Sequence, residues 1–229
     1  MPRARAVGAA VDIGLIETIR ARGGGLPWLG RHLARLRTST AALGVPEAPA
    51  DLDDLVRFAV GSGDRGDRVV RLQLTGGRAE IATRDVNPDR DVAVVVSREV
   101  HVPYPHKTTR REQFGRALAS ARRRRARDAV LVTAEGCVAE GTAWNLFWWE
   151  NRTLCTPAAD LGILPGIGRQ RVMELAEVTE VRAPVAALAG RSLFLVNAVR
   201  GIVEIGRFEG EPVPRDQRTA ELSAAFWPD

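Results

Sequence analysis

Three short runs between Arg68 and Ser97 constrain the fold most: RVVRLQLT, AEIATR and DVAVVVS. They are rich in valine, isoleucine and threonine, and turn formers separate them, Gly76-Gly77 and then Asn87-Pro88. Side chains branched at Cβ fit a pleated strand better than a helix, so each run reads as a strand. A small sheet must bury one face against another layer. That layer is encoded just upstream. LPWLGRHLARLRTSTAALGV places Leu29, Leu33, Leu36 and Leu43 at helical spacing and ends at Gly44, a helix stop. PADLDDLVRFAVGSG reads as a second helix opened by Asp51, with its tail and GDRGD as a turn. AVDIGLIETIRA alternates as a further strand and turns at Gly23-Gly24-Gly25. Residues 1–98 thus read as a small N-terminal α+β domain.

Residues 99–106, carrying Pro103 and Pro105, form a connector. Beyond it the pattern changes, and residues 107–229 read as a larger mixed β domain with helices. The expectation there is a helix over 109–126 and strands near 128–134, 137–140 and 144–149. A loop, TPAADLGILPGIGR, leads into a helix from about residue 167. Strands SLFLVNA and GIVEIGRF follow, with a short C-terminal helix containing Phe226 and Trp227. No internal repeat, P-loop or dinucleotide fingerprint is visible.

A hydrophobic content of 45% with 27% charged residues is that of a globular protein. No apolar run has the length of a membrane span, so no membrane partner is expected. Asp12 and Glu17 interrupt the apolar stretch after the basic start, and no small-residue cleavage site follows, which argues against a signal peptide. Cys137 and Cys155 lack metal-ligand spacing and read as reduced core residues of a cytoplasmic protein; no metal is expected. A net charge of +5 and the run ARRRRARD, Ala121 to Asp128, raise a nucleic-acid reading. The run ends an amphipathic segment in which Phe114, Leu118 and Ala121 share a face, and basic residues complement a helix C-terminus. A solvated helix end is the better reading, with no nucleic-acid partner.

One residue type is conspicuous by its scarcity. Of 33 lysines and arginines, 32 are arginine, and the single lysine is Lys107 in YPHKTTRR. Arginine stays protonated, whereas a desolvated lysine amine can lose its proton and attack a carbonyl. Lys107 is therefore a candidate carbonyl-attacking lysine, placed where two domains meet and small-molecule pockets form.

Five stretches in a fixed order carry a resemblance: LIETIRARGGG with RHLARLRTS, then HKTTRR, VAEGTAWNLFWW, TPAADLGILPGIGR and NAVRG. The chain resembles the class IV, or fold type IV, pyridoxal-phosphate enzymes over nearly its whole length. These include branched-chain and D-amino-acid aminotransferases and aminodeoxychorismate lyase. The resemblance implies a two-domain α+β fold like that of D-amino-acid aminotransferase. Pyridoxal 5'-phosphate would be the cofactor, a small-molecule amine the substrate and a homodimer the assembly. Lys107 would form the internal aldimine and shuttle protons at the substrate carbon. Glu140 would face the pyridine nitrogen, keeping it protonated so that the ring accepts electrons. Arg35 would bind the cofactor phosphate, with His32 one turn back orienting or packing. Backbone amides of Ile167 and Gly168 at a helix N-terminus would add phosphate contacts, and Asn197 and Ala198 would close that side. Arg110, Trp144 and Arg200 are candidate substrate contacts, with Arg111 an alternative to Arg110 and Trp144 equally readable as core. Asn145 would secure the turn after Glu140. Gly168 stands where the family often has a hydroxyl residue, and the segment preceding Glu17-Thr18 is shorter than in most members.

Within the family, HKTTRR, NLFWW and NAVRG resemble the lyase branch. Glu112 stands where the branched-chain pattern has a tyrosine. The expected activity is 4-amino-4-deoxychorismate lysis to pyruvate and 4-aminobenzoate, a step of folate biosynthesis. The alternative is a class IV aminotransferase acting on branched-chain or D-amino acids. A third reading is a cofactor-free binding protein with this fold.

Overall fold

A computed structural model describes residues 13–61, 66–87 and 92–228. The basic N-terminal stretch, the Gly61–Asp67 turn and the Asn87-Pro88 turn lie wholly or partly outside those residues. The first layer is a three-stranded antiparallel sheet of β1 (Leu15–Ala21), β2 (Arg68–Thr75) and β3 (Arg78–Asp85), with β2 in the centre. Alternation gives this sheet two faces. One carries Leu15, Ile19, Val70, Leu72 and Leu74, which pack on Leu29, Leu33 and Leu36 of α1 (Leu29–Leu43) and on Leu52, Val56 and Val60 of α2 (Leu52–Val60). Gly44 ends α1 in the left-handed conformation, φ 61°, as the sequence suggests. Asp51 precedes α2, but its side chain makes no capping hydrogen bond.

The third strand-like run does not join the first two. β4 (Val92–Val100) lies within the larger sheet, whose path is β6-β5-β4-β11-β10-β7-β8-β9. The remaining members are β5 (Asp128–Val132), β6 (Val138–Gly141), β7 (Asn145–Glu150), β8 (Thr153–Pro157), β9 (Val178–Val181), β10 (Leu193–Asn197) and β11 (Gly201–Phe208). β12 (Glu211–Pro212) pairs with β11 off this path. Period-2 patterning identifies a strand but not its neighbour. Here β4 runs parallel to both β5 and β11, and α3 (Glu112–Arg123) forms the crossover from β4 to β5. Phe114, Ala117 and Ala121 of α3 pack on Val95, Ala129 and Leu131. The helix starts later than residue 109 because the chain before it is extended and tied to β1. Ile16 N–H donates to the Lys107 carbonyl and Thr109 N–H to the Gly14 carbonyl, both at 2.8 Å.

The supposed loop TPAADLGILPGIGR opens inside a strand, β8, and is followed by α4 (Ile167–Leu175) and the unanticipated β9. Core residues cover both faces of the large sheet. Leu146, Trp148, Leu193 and Leu195 pack on one side, and Phe147, Phe194 and Val196 on the other with Ile167 and Val172 of α4. Both cysteines are free thiols. Phe226 and Trp227 lie just past α5 (Gln217–Ala225), not within it. Phe226 is fully buried, and the Trp227 ring stacks on Trp28 with 4.6 Å between centroids. No described helix is long and apolar enough to cross a membrane.

Candidate active site

A cavity of about 230 Å³ lies between the two sheets. Its lining includes Lys107, Arg35, Glu140, Trp144, Ile167, Gly168, Asn197, Ala198 and Arg200 from the sequence-derived set. Arg110 is not among them: it is exposed, and its neighbour Arg111 lines the cavity. Four further lining residues, Ile16, Thr18, Arg71 and Arg84, come from the small sheet. They share the face opposite the helices, because Thr18 pairs with Arg71 across β1 and β2, and Val69 pairs with Arg84 across β2 and β3.

Lys107 sits in the extended link between the sheets. Besides the bond from Ile16 to its carbonyl, the Tyr104 hydroxyl donates to the Thr108 carbonyl at 2.6 Å. Burial, reinforced by the Arg111 and Arg35 guanidinium groups, lowers its pKa to about 7. Much of the amine is thus unprotonated at neutral pH, the state a nucleophile needs.

Glu140 is carried by β6 and is 3% exposed. Both carboxyl oxygens lie 3.3 Å from the Leu164 N–H. That single donor, with Lys107 and Arg111 at a distance, does not offset burial, and the pKa rises to about 8. His101 Nδ1 is 4.0 Å from Oε1, and burial lowers its pKa, so the imidazole faces the carboxyl group neutral. On the neighbouring β5, buried Asp128 accepts from Thr142 N–H (2.8 Å) and the Thr142 hydroxyl (2.9 Å), pinning the turn that follows Glu140. Arg111 donates to the Thr142 carbonyl at 2.6 Å and lies over the Phe114 ring.

A second carboxylate faces this region from β1. Glu17, on the helix side of the strand, is 1% exposed. Arg35 grips it through Nε at 2.8 Å and through Nη2, and His32 Nδ1 lies 2.6 Å from Oε2. Burial alone would raise its pKa, but Arg35 and His32 overcome that and hold it at about 2. The third donor of Arg35, Nη1, reaches the Pro165 carbonyl at 3.1 Å, at the approach to α4. Glu17 is the residue that sequence reasoning treated only as an interruption of an apolar stretch. Its partners lie a helix away, and the buried charge within an apolar strand was the available signal.

The α4 N-terminus closes the cavity opposite. Its first-turn amides have no intrahelical acceptors. A Cβ on Gly168 would lie 2.7 Å from the Asn197 carbonyl carbon, so glycine is required where the helix meets the end of β10. That close approach accounts for glycine where the family often carries a hydroxyl. Asn145 donates to the Leu164 carbonyl at 3.0 Å, securing the loop before α4 and not the turn after Glu140. The Asn197 side chain accepts from Val199 N–H (3.0 Å) and Arg200 N–H (2.8 Å) and donates to the Ala143 carbonyl (3.3 Å). Trp144 belongs to the core and to the cavity wall at once, with the Arg200 guanidinium 5.7 Å from its ring. Among the described residues no cluster of histidine, cysteine, aspartate and glutamate could hold a metal ion.

A buried amine of low basicity, a buried proton-holding carboxyl group and free helix-terminal amides beside a guanidinium match the groups of pyridoxal phosphate: aldehyde, ring nitrogen and phosphate. The residues fit that cofactor.

Comparisons with known proteins agree. The sequence matches the Amino-transferase class IV family over residues 14–208. It is 33% identical over 113 residues to a "Probable branched-chain-amino-acid aminotransferase" of Thermotoga maritima, covering 44% of this chain and 40% of that protein. It is 40% identical over 50 residues to an aminodeoxychorismate lyase of Bacillus subtilis, covering 22% and 17% respectively. The chain therefore spans less than two thirds of the length of these curated relatives. The branched-chain aminotransferase of the archaeon Thermoproteus uzoniensis, solved with norvaline, superposes with a TM-score of 0.86 at 23% identity, covering 93% of this chain and 84% of that one, a likeness of fold. With the family match spanning most of its length and a site of matching chemistry, the chain belongs to the class IV aminotransferases, a family dependent on pyridoxal phosphate.

Proposed function

We propose that this protein is a pyridoxal-phosphate-dependent 4-amino-4-deoxychorismate lyase that releases pyruvate and 4-aminobenzoate. The observation that carries the reading is the cationic wall of the cavity. Arg71 and Arg84 from the small sheet, Arg111 just before α3 and Arg200 in the turn between β10 and β11 line a space whose substrate would carry two carboxylates. A branched-chain substrate would instead call for an apolar side-chain compartment.

In this reading Arg35, the Ile167 and Gly168 amides, and the Asn197–Ala198 backbone hold the cofactor phosphate. The cofactor, joined to Lys107 through its aldehyde, supplies an electron sink for a carbanion. Glu140 would face the ring nitrogen as a carboxylate whose charge keeps that nitrogen protonated; in the cofactor-free site the same group holds its own proton up to about pH 8. The Lys107 amine, unprotonated above about pH 7, would take the proton from the amine-bearing carbon; the C–O bond on the neighbouring carbon then breaks, and the lysine would pass that proton to the departing enolpyruvyl group, which leaves as pyruvate. Trp144 walls the substrate, and Arg200 and Arg71 pair with its carboxylates.

The second reading, an aminotransferase for branched-chain or D-amino acids, is favoured by the 33% identical Thermotoga stretch. A cofactor-free binding protein is disfavoured by the low basicity of Lys107. The experiment incubates purified protein with pyridoxal phosphate and reduces it with borohydride, then assays a fresh sample with aminodeoxychorismate. A pyridoxyl label on Lys107 with pyruvate release supports the lyase. The label with keto-acid-dependent amino transfer and no pyruvate replaces it by the aminotransferase, and no label overturns both.

The reading also carries the division into a small domain of residues 1–98, a connector of 99–106 and a large domain of 107–229, although β4 of the first stretch pairs within the larger sheet. A homodimer and a cytoplasmic location come with it from the family resemblance. Sedimentation at micromolar concentration tests the dimer.

A further inference from the structure

His32 is 1% exposed, yet it lines the cavity. Its Nδ1 is committed to Glu17 at 2.6 Å, and its Nε2 is buried with no hydrogen-bond partner. A buried polar atom without a partner is costly, and where it faces a cavity it marks a ligand contact. The ring sits beside Arg35, with which it shares the Glu17 carboxylate. Arg35 in turn touches Pro165, just before the N-terminus of α4. The open nitrogen therefore belongs to the anion-receiving end of the cavity.

The tautomer follows from the partner. A carboxylate held ionised can only accept, so Nδ1 carries the hydrogen and Nε2 presents a lone pair. A phosphate monoester dianion also presents only lone pairs. Two acceptors cannot meet without a proton between them. We propose that His32 Nε2 hydrogen-bonds the cofactor phosphate and that this contact takes up one proton, shared between imidazole and phosphate, when the cofactor binds. The inference rests on the cofactor reading above and adds a residue and a proton to it. The charged or titratable groups facing the ring are Glu17 from β1, Arg35 from its own helix and Lys107 from the link. Burial keeps the free imidazole unprotonated, as the proposal requires. The bridging proton lies between the Glu17 and phosphate charges, which favour it.

The test uses pyridoxine 5'-phosphate, whose alcohol cannot join Lys107, and pyridoxine, which lacks the phosphate. Calorimetric titrations at pH 8 in two phosphate-free buffers of different ionisation enthalpy count protons exchanged on binding. Wild type should take up about one more proton with the phosphate ester than with pyridoxine, and the ester's affinity relative to pyridoxine should fall about tenfold per pH unit between pH 7.5 and 8.5. His32→Gln, whose amide donates without titrating, should lose both the extra proton and the slope. An unchanged proton count in His32→Gln overturns the proposal while leaving the cofactor reading standing. Failure of wild type to bind the ester overturns both. Nitrogen NMR of the wild type, with three histidines to assign, gives a reading independent of the variant's folding. Nε2 of His32 must move from a lone-pair to a protonated shift on adding the ester, and an unmoved signal overturns the contact.

Discussion

Glu17 and Glu140 are the same residue type and both buried, one behind the small sheet and one in the cavity wall, and the pH at which each loses its proton differs by some six units, about 2 against about 8. Glu17 is gripped by a guanidinium fork and an imidazole; Glu140 has one backbone amide shared between its two oxygens. Burial pushes both upward, and the number of close partners decides which one yields. A saturated carboxylate becomes a structural anchor. A nearly unpartnered one keeps a proton available for chemistry.

The largest way to test this division lies in the amine that feels both carboxylates. Lys107→Arg restores a permanent charge and removes the nucleophile. Activity should fall by about 10⁴-fold or more with the fold retained, checked by steady-state rates alongside circular dichroism. Next comes Glu17→Gln, which strips Arg35 and His32 of their counter-charge. Urea unfolding should show a loss of about 3–5 kcal/mol, and a loss under 1 kcal/mol would break the anchor assignment.

The same contrast appears as pH dependence. The folded pKa of Glu17 lies below its unfolded value of 4.5, so the stability it contributes is complete above pH 5 and is lost as pH falls toward 2. That loss should be about 3 kcal/mol in unfolding experiments at decreasing pH. Glu140 has the opposite sign. Its folded pKa lies above 4.5, so in cofactor-free protein it costs stability increasingly as pH rises from 4.5 to 8. Glu140→Gln should therefore raise the cofactor-free melting temperature at pH 8 while lowering kcat by about 100-fold. A variant that loses both would make Glu140 an anchor too. The smallest effect is expected at the solvent-exposed arginines: Arg71→Ala or Arg84→Ala should raise KM for a two-carboxylate substrate about tenfold and leave kcat nearly unchanged.

Much of this was legible in the chain itself. Leucine spacing marked α1, glycine its end, and the solitary lysine lies in the wall of the cavity between the sheets. What escaped depends on facts that no local pattern holds. β4 looks like its neighbours β2 and β3 in composition, and only a parallel crossover through α3 sends it to the other sheet. β9 is four residues long, too short for a period to register. Arg110 and Arg111 are adjacent in an extended segment, where a single step reverses the direction of a side chain. Glu17 acquires its meaning from His32 and Arg35, whose side chains reach it only once the helix packs on the strand. Arg71 and Arg84 reach the cavity because β2 and β3 turn one face to the helices and the other to the large sheet.

The ties between chain-distant segments also order events in time. The Lys107 carbonyl is held by Ile16, Arg20 donates to the Val199 carbonyl at 2.8 Å, and Trp28 stacks on Trp227. Contacts of such wide sequence separation require costly loop closure before they contribute, whereas the β2–β3 hairpin and α3 form from neighbours. During refolding the small sheet can assemble early and still lack half of the cavity wall. The two walls meet only when the first strand finds the end of the chain, so the cavity is complete only once these distant contacts have formed.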